Sequence, residues 1–412
     1  MTQAAVEPDR VLLGLDRILL SPGSFPVIKG PGSGAKAGNV RRVGLVTSDS
    51  SLSGFGNGRR VSARSGLVDA GVPLTHLFTP EHGLSATITD GRGVEDGRDP
   101  LTGLPVISLY GPRVAPPAVL LATMDLVLFD LQDVGARFYT FLWTLSHLME
   151  SCAGARTPLR VLDRPNPLGG LEEWVEGPLP DPGAPASFLG RWPIPVRHSL
   201  TLGEMALLLR AEMNLDLDLE VIPMKGWKRS SLWPATGLSF VPPSPGIPDF
   251  GSALLYPGLA LLEATNVLQG RGTELSFQWF GAPWLDPAAG AKALNDAGFP
   301  GVRAHPHELL LGDRTCPGVR LQVTHPEILR PVSFGLRLLS LLRAHWPEGL
   351  RWAPYPTSAN PSGRDHLFRL TMCREVVQRM EWDPPRLQDS EVAALTRAPG
   401  WWERVTPHLL YS

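Results

Sequence analysis

The sequence predicts an α/β protein: a mostly parallel sheet with helices on both faces, followed by a smaller mixed α+β unit. Three observations carry this. Short apolar runs of strand length alternate with segments of helical periodicity through the first 170 residues. Each run gives way on its C-terminal side to polar, Gly or Pro residues, as strands of an open parallel sheet do. The chain has 412 residues, 43% of them hydrophobic, which is enough for two domains with packed cores.

The first strand is expected at 43–47, a β-branched apolar run that ends in Ser48 and Asp49. A helix-compatible segment at 59–70 stops at Gly71, and a second strand at 73–78 is closed by Pro80. Residues 104–111 make a third strand and 124–135 a fourth, nearly continuous in its hydrophobicity. Phe138, Phe141, Leu142, Leu145, Leu148 and Met149 then repeat at helical spacing over 138–152, before a fifth strand at 158–167. Between 170 and 251 the chain is rich in Pro and Trp. Its clearest helix is 202–210, where Thr201 and Glu204 form a capping box. Beyond Gly251 short apolar runs are broken by Gly and Pro, with helices expected at 334–345 and 386–396. A domain change is placed at 230–250, giving an α/β domain over 11–235 and an α+β domain over 236–412.

Composition narrows the function. Lys and Arg total 38 against 40 Asp and Glu, a net charge of −2, which argues against nucleic acid or an anionic membrane as the main partner. Purely apolar stretches such as 118–122 fall far short of the ~20 residues of a membrane span. With no apolar run of signal-peptide length near the start, a cytoplasmic protein is expected. Cys152, Cys316 and Cys373 are odd in number and far apart, so neither a disulfide framework nor a CxxC pair is expected.

No metal and no cofactor are expected. The stretch at 30–36 has the composition of a phosphate loop, but Ala37 stands where a Ser or Thr belongs and no strand precedes it. The Gly-rich 54–58 lacks the G-x-G-x-x-G spacing, and no G-x-S-x-G elbow occurs. His305 and His307 lack a partner at zinc-protease spacing.

Ligands of open α/β sheets bind outside the carboxyl ends of the strands. There the loops gather Glu81, His82, Asp130, Asp133, Asp163 and Arg164. Glu81, on a short turn between Pro80 and His82-Gly83, suits a general acid. Asp130 or Asp133 would supply the second carboxylate that glycoside hydrolysis uses. The same residue types also serve proton abstraction or phosphate-ester chemistry, so residue types alone leave the reaction open.

Nine blocks in order sharpen the reading: TPEHG (79–83), TGLPVISLYG (102–111), LVLFDLQDVGARFYTF (126–141), VLDRPNPLGG (161–170), VEGPLP (175–180), PIPVRHSLTLGE (193–204), VPPSPGIP (241–248), TNVLQGRGTELSF (265–277) and GAPW (281–284). The series resembles the NamZ-type exo-β-N-acetylmuramidases, glycoside hydrolase family 171, formerly a domain of unknown function. The resemblance implies removal of single N-acetylmuramic acid residues from the non-reducing ends of peptidoglycan fragments. It also implies a Rossmann-like N-terminal domain, a smaller C-terminal domain and a cleft between them. Glu81 is then the catalytic acid, with Asp133 as candidate second group. Arg137, Arg164, Arg197 and Arg271 are candidates for the sugar's lactyl carboxylate. His82, Asp130, Asn166, His198, Asn266 and Glu274 are candidates for polar contacts, and Tyr139, Trp143, Trp279 and Trp284 for stacking.

The sequence departs from the family pattern at Ser48, where an Asn is usual, and at 84–86, Leu-Ser-Ala in place of Ile-Arg-Gly. Those departures motivate an alternative, a catalytically idle sugar-binding protein on the same fold.

Overall fold

The computed structural model describes residues 11–21, 40–54, 61–357, 360–382 and 387–412. The stretch at 30–36 and most of 54–58 lie outside them. Seven strands form the main sheet: β1 (Val43–Val46), β2 (Leu74–Thr79), β3 (Gly97–Arg98), β4 (Pro105–Ser108), β5 (Leu126–Phe129), β6 (Leu159–Leu162) and β7 (Leu219–Ile222). Their order is β3-β4-β2-β1-β5-β6-β7, parallel throughout except for the antiparallel edge strand β3. Without β3, the six parallel strands follow the 3-2-1-4-5-6 order of dinucleotide-binding folds, reversing between β1 and β5.

The alternation of side chains explains why both faces are covered. Val43 and Leu45 of β1, with Leu126 and Leu128 of β5, join one apolar cluster beneath α1 (Gly14–Leu20) and α2 (Ala63–Asp69). Val46, Val127 and Phe129 face the other way, into a cluster shared with α3 (Ala118–Leu121), α4 (Phe141–Ala155) and α5 (Leu202–Glu212). Thr201 and Glu204 form the expected capping box at the start of α5.

The second cluster continues without a break into the C-terminal half. There α6 (Phe250–Leu259) is followed by a three-stranded antiparallel sheet of β8 (Trp279–Gly281), β9 (Val302–Leu311) and β10 (Arg314–Val323), ordered β8-β10-β9, with α7 (Pro287–Ala297) packed on β9 and β10. Then follow α8 (Pro331–His345), α9 (His366–Thr371), α10 (Arg374–Trp382), α11 (Asp389–Leu395) and α12 (Trp401–Val405). The crossing of α6 and α8 depends on glycine. A Cβ on Gly258 would stand 2.0 Å from the Pro331 carbonyl oxygen, and one on Gly335 2.4 Å from that of Gly258.

Two expectations are corrected in detail. The fourth strand ends at Phe129, well before residue 135, because Asp130 turns its side chain to Arg164 and Asp133 accepts from the Gly135 N–H. The hairpin of β9 and β10 was not expected in a region broken by Gly and Pro. Gly312, with φ 64°, and Asp313 supply its two-residue turn.

The C-terminus is tied back to the sheet through Asp163, which follows β6. Its buried carboxylate accepts from the Thr201 hydroxyl at 2.7 Å, the Gly203 N–H at 2.8 Å and the Tyr411 hydroxyl at 2.5 Å. Tyr411 in turn accepts from the Met224 N–H at 3.0 Å. Tyr411→Phe leaves both groups one partner short and should cost about 1–3 kcal/mol, read as a lower urea midpoint with an unchanged slope.

Candidate active site

The site begins where β2 turns. His82 (φ 72°) and Gly83 (φ 76°) are both left-handed, a conformation that a non-glycine residue adopts only under local constraint. The preceding residue, Glu81, is 5% exposed. Its Oε1 accepts from the Gly91 N–H at 2.6 Å and its Oε2 from the Thr140 hydroxyl at 2.8 Å. Thr140 stands at the N-cap of α4 yet makes no side-chain cap, because its hydroxyl is engaged by Glu81. The His82 Nδ1 donates to the Ile88 carbonyl at 2.8 Å, which turns Nε2 to the far side of the ring. That ring stacks on Tyr139 at 6.2 Å.

Glu81 and His82 line a cavity of about 90 Å³ walled by both halves of the chain. The sheet side contributes Asp90, Tyr110, Tyr139 and Thr140; the later half contributes Ser244, Tyr256, Glu263, Arg271, Tyr355, His366 and Arg369. Burial pushes the Tyr139 hydroxyl well above its ordinary pKa; Ser244 opposes the shift, whereas Tyr256, Asp133 and Glu81 add to it.

A chain of charges crosses the cavity. Arg271 binds Glu263 through Nε and Nη2, reaches Asp90 with Nη1 at 3.2 Å, and lies over the Phe277 ring at 4.6 Å. The other Glu263 oxygen meets His366 Nε2 at 2.9 Å, and Tyr355 donates to Asp90 at 2.8 Å. Burial pushes the Glu263 carboxyl up, but Arg271 and His366 together hold it below its usual value.

Of the residues expected at the site, Glu81, His82, Tyr139 and Arg271 meet at this cavity. The others lie elsewhere, for identifiable reasons. Asp130 and Arg164 form a buried two-bond pair at the sheet's reversal point, beside a separate small pocket. Arg137 is fully buried and donates to the carbonyls of Pro178, Ile194 and Leu370; burial pushes its pKa down to about 9. Arg197, similarly pushed down to about 10, serves the carbonyls of Leu168 and Leu329. Asn166 bridges the Leu168 N–H and the Leu200 carbonyl; Asn266 bridges the Arg351 N–H and the Gly349 carbonyl. Asp133 takes the Gly135 N–H at 2.8 Å and faces His198 Nε2 at 3.7 Å, away from the cavity lining. Glu274 is exposed.

Asp90, Thr140, Tyr256, Glu263, Tyr355, His366 and Arg369 escaped the sequence reading. Two had a signal: Thr140 lies inside the LVLFDLQDVGARFYTF block, and Glu263 stands two residues before TNVLQGRGTELSF. The departures from the family pattern do not line the cavity: the Ser48 hydroxyl bonds that of Ser50, Leu84 packs beneath the sheet, and Ser85 bonds Thr87.

Comparisons with known proteins agree over nearly the whole length. The model described as exo-β-N-acetylmuramidase NamZ, N-terminal, matches residues 43–251, and its C-terminal counterpart matches 254–411. A relative, the peptidoglycan β-N-acetylmuramidase NamZ of Bacillus subtilis (strain 168), is 37% identical over 351 residues, 84% of this chain and 80% of that protein. A crystal structure of a DUF1343 family protein from Bacteroides fragilis NCTC 9343 superposes with a TM-score of 0.80 at 28% identity, covering 98% of this chain and 100% of that one. A second from the same organism gives 0.66 at 25% identity, over 98% and 99% of the two chains.

The charge chain makes a signed prediction. With its pKa held down, native Glu263 contributes stability above its ordinary pKa and loses it as pH falls through the lowered value. Arg271→Met leaves the buried Glu263 carboxylate with His366 as its remaining partner and should cost about 3–5 kcal/mol at neutral pH. Burial then dominates, Glu263 favours its neutral form, and stability falls as pH rises. Urea midpoints at about pH 5 and pH 8 should therefore diverge in the variant, with the lower value at the higher pH.

Proposed function

The chain belongs to the NamZ exo-β-N-acetylmuramidase family and is a glycoside hydrolase; on that premise we propose its substrate and its acid. It removes terminal N-acetylmuramic acid from the non-reducing ends of peptidoglycan-derived saccharides, and Glu81 protonates the departing glycosidic oxygen. The observation that carries this is the setting of Glu81: a buried carboxyl group at a strand end, lining the cavity, with each oxygen held by a single partner.

Those partners suit an acid that cycles between two states. The Gly91 N–H can only donate, so Oε1 stays unprotonated. The Thr140 hydroxyl can donate to a carboxylate or, by rotating, accept from a carboxylic acid. Oε2 is therefore the oxygen that carries the proton; Thr140 releases it as it passes to the glycosidic oxygen, and the Thr140 hydroxyl then donates to the carboxylate that results. His82, through its free Nε2, accepts from a sugar hydroxyl, and Tyr139 packs against the ring. Arg271 holds Glu263 and Asp90 in place at the cavity wall. Asp130, Arg137, Arg164, Asn166, Arg197, His198 and Asn266 act by holding the loops that carry these groups.

Glu81→Gln keeps the shape and removes the proton. Hydrolysis of a disaccharide with terminal N-acetylmuramic acid should fall by about 10²–10⁴-fold. A nitrophenyl β-N-acetylmuramide, whose leaving group needs little protonation, should lose far less; equal losses on both substrates would sink the acid assignment. Asp133→Asn retains an oxygen for the Gly135 N–H and should turn over the disaccharide at a near-normal rate. A loss matching that of Glu81→Gln would instead make Asp133 the second catalytic carboxylate.

A further inference from the structure

N-acetylmuramic acid differs from N-acetylglucosamine by a lactyl ether that ends in a carboxylate. Arginine suits such a group, because its planar fork makes two parallel charge-assisted bonds. Two arginines line the cavity, Arg271 and Arg369. Arg271 is committed: Nε and Nη2 serve Glu263, Nη1 serves Asp90, and its face lies on Phe277.

Arg369, in the last turn of α9, is different. It is part-buried, its Nε is buried without a hydrogen-bond partner, and its guanidinium pairs with no carboxylate among the described residues. A half-buried cation in that condition is costly unless something arrives to meet it. The cavity's other charges make the point sharper. Arg271 is already matched to Glu263 and Asp90, so Arg369 is the cavity arginine whose charge is left to meet an entering carboxylate.

We propose that Arg369 receives the lactyl carboxylate and so sets the preference for muramic over glucosamine sugars. The assignment rests on the muramidase reading above, and its test is separable from that reading. Calorimetry would compare N-acetylmuramic acid with its lactamide, which has the same shape and no charge, on native protein, Arg369→Met and Arg369→Lys. Hydrolysis of the nitrophenyl β-N-acetylmuramide is followed alongside.

Native protein should bind the acid about 10–100-fold more tightly than the lactamide. Arg369→Met should lose that preference while its lactamide affinity stays within about threefold, and Arg369→Lys should keep part of it. A preference that survives in Arg369→Met overturns the assignment and moves it to Arg271. Native protein that binds neither compound, or both equally, overturns it too, whether or not Arg369→Met folds. Binding with the expected preference but no hydrolysis would defeat the muramidase reading and leave the carboxylate site standing. Hydrolysis without the preference would do the reverse.

Discussion

A carboxylate inside a cavity must be partnered or it will not stay charged. Glu263 meets that condition with Arg271 on one oxygen and His366 on the other, and Arg271 extends the arrangement to Asp90. The rest of the site depends on this. Asp90 directly precedes Gly91, whose N–H holds Glu81, so the charge chain fixes the acid as well as itself. Because Glu263, Arg271 and His366 come from the later half and Asp90 from the loop after β2, the same interaction closes the cavity between the two.

The sheet was legible because a buried parallel strand leaves a plain record: a short apolar run with a polar stop. The five expected strands exist, and Pro80 to Gly83 lies at the end of β2. What failed was length. The apolar run after β5 continues through Leu131 and Val134, which are buried in loop conformation, so burial was read as strand. The hairpin failed for the opposite reason. Pro306 and Pro317 interrupt its two strands, although the turn at Gly312 and Asp313 was there to be read.

For the site, sequence could name arginines but could not tell one buried in the scaffold from one at the cavity. Arg137 and Arg271 both sit in family blocks, yet one is enclosed by three carbonyls and the other lines the cavity. That difference is made by residues such as Leu370 and Glu263, distant along the chain. Asp90 and Arg369 stand in stretches of no clear periodicity and come into view only once the fold juxtaposes them.

The bonds of Arg137 have a mechanical consequence. The cavity is walled on one side by α9, which carries His366, Arg369 and Leu370, and on another by the loop after β2, which carries Asp90 and Gly91. The wall made by α9 is stiff: Arg137, wholly buried, grips the Leu370 carbonyl next to Arg369, and moving α9 would strand a guanidinium in the core. The opposite wall is held closer to solvent. Asp90 is held by bonds to Arg271 and Tyr355, and its side chain is 27% exposed, so water can compete for those partners. The two walls are thus braced unequally: the one bearing Arg369 is anchored from the core, and the one bearing Gly91 is held by bonds at the cavity's edge.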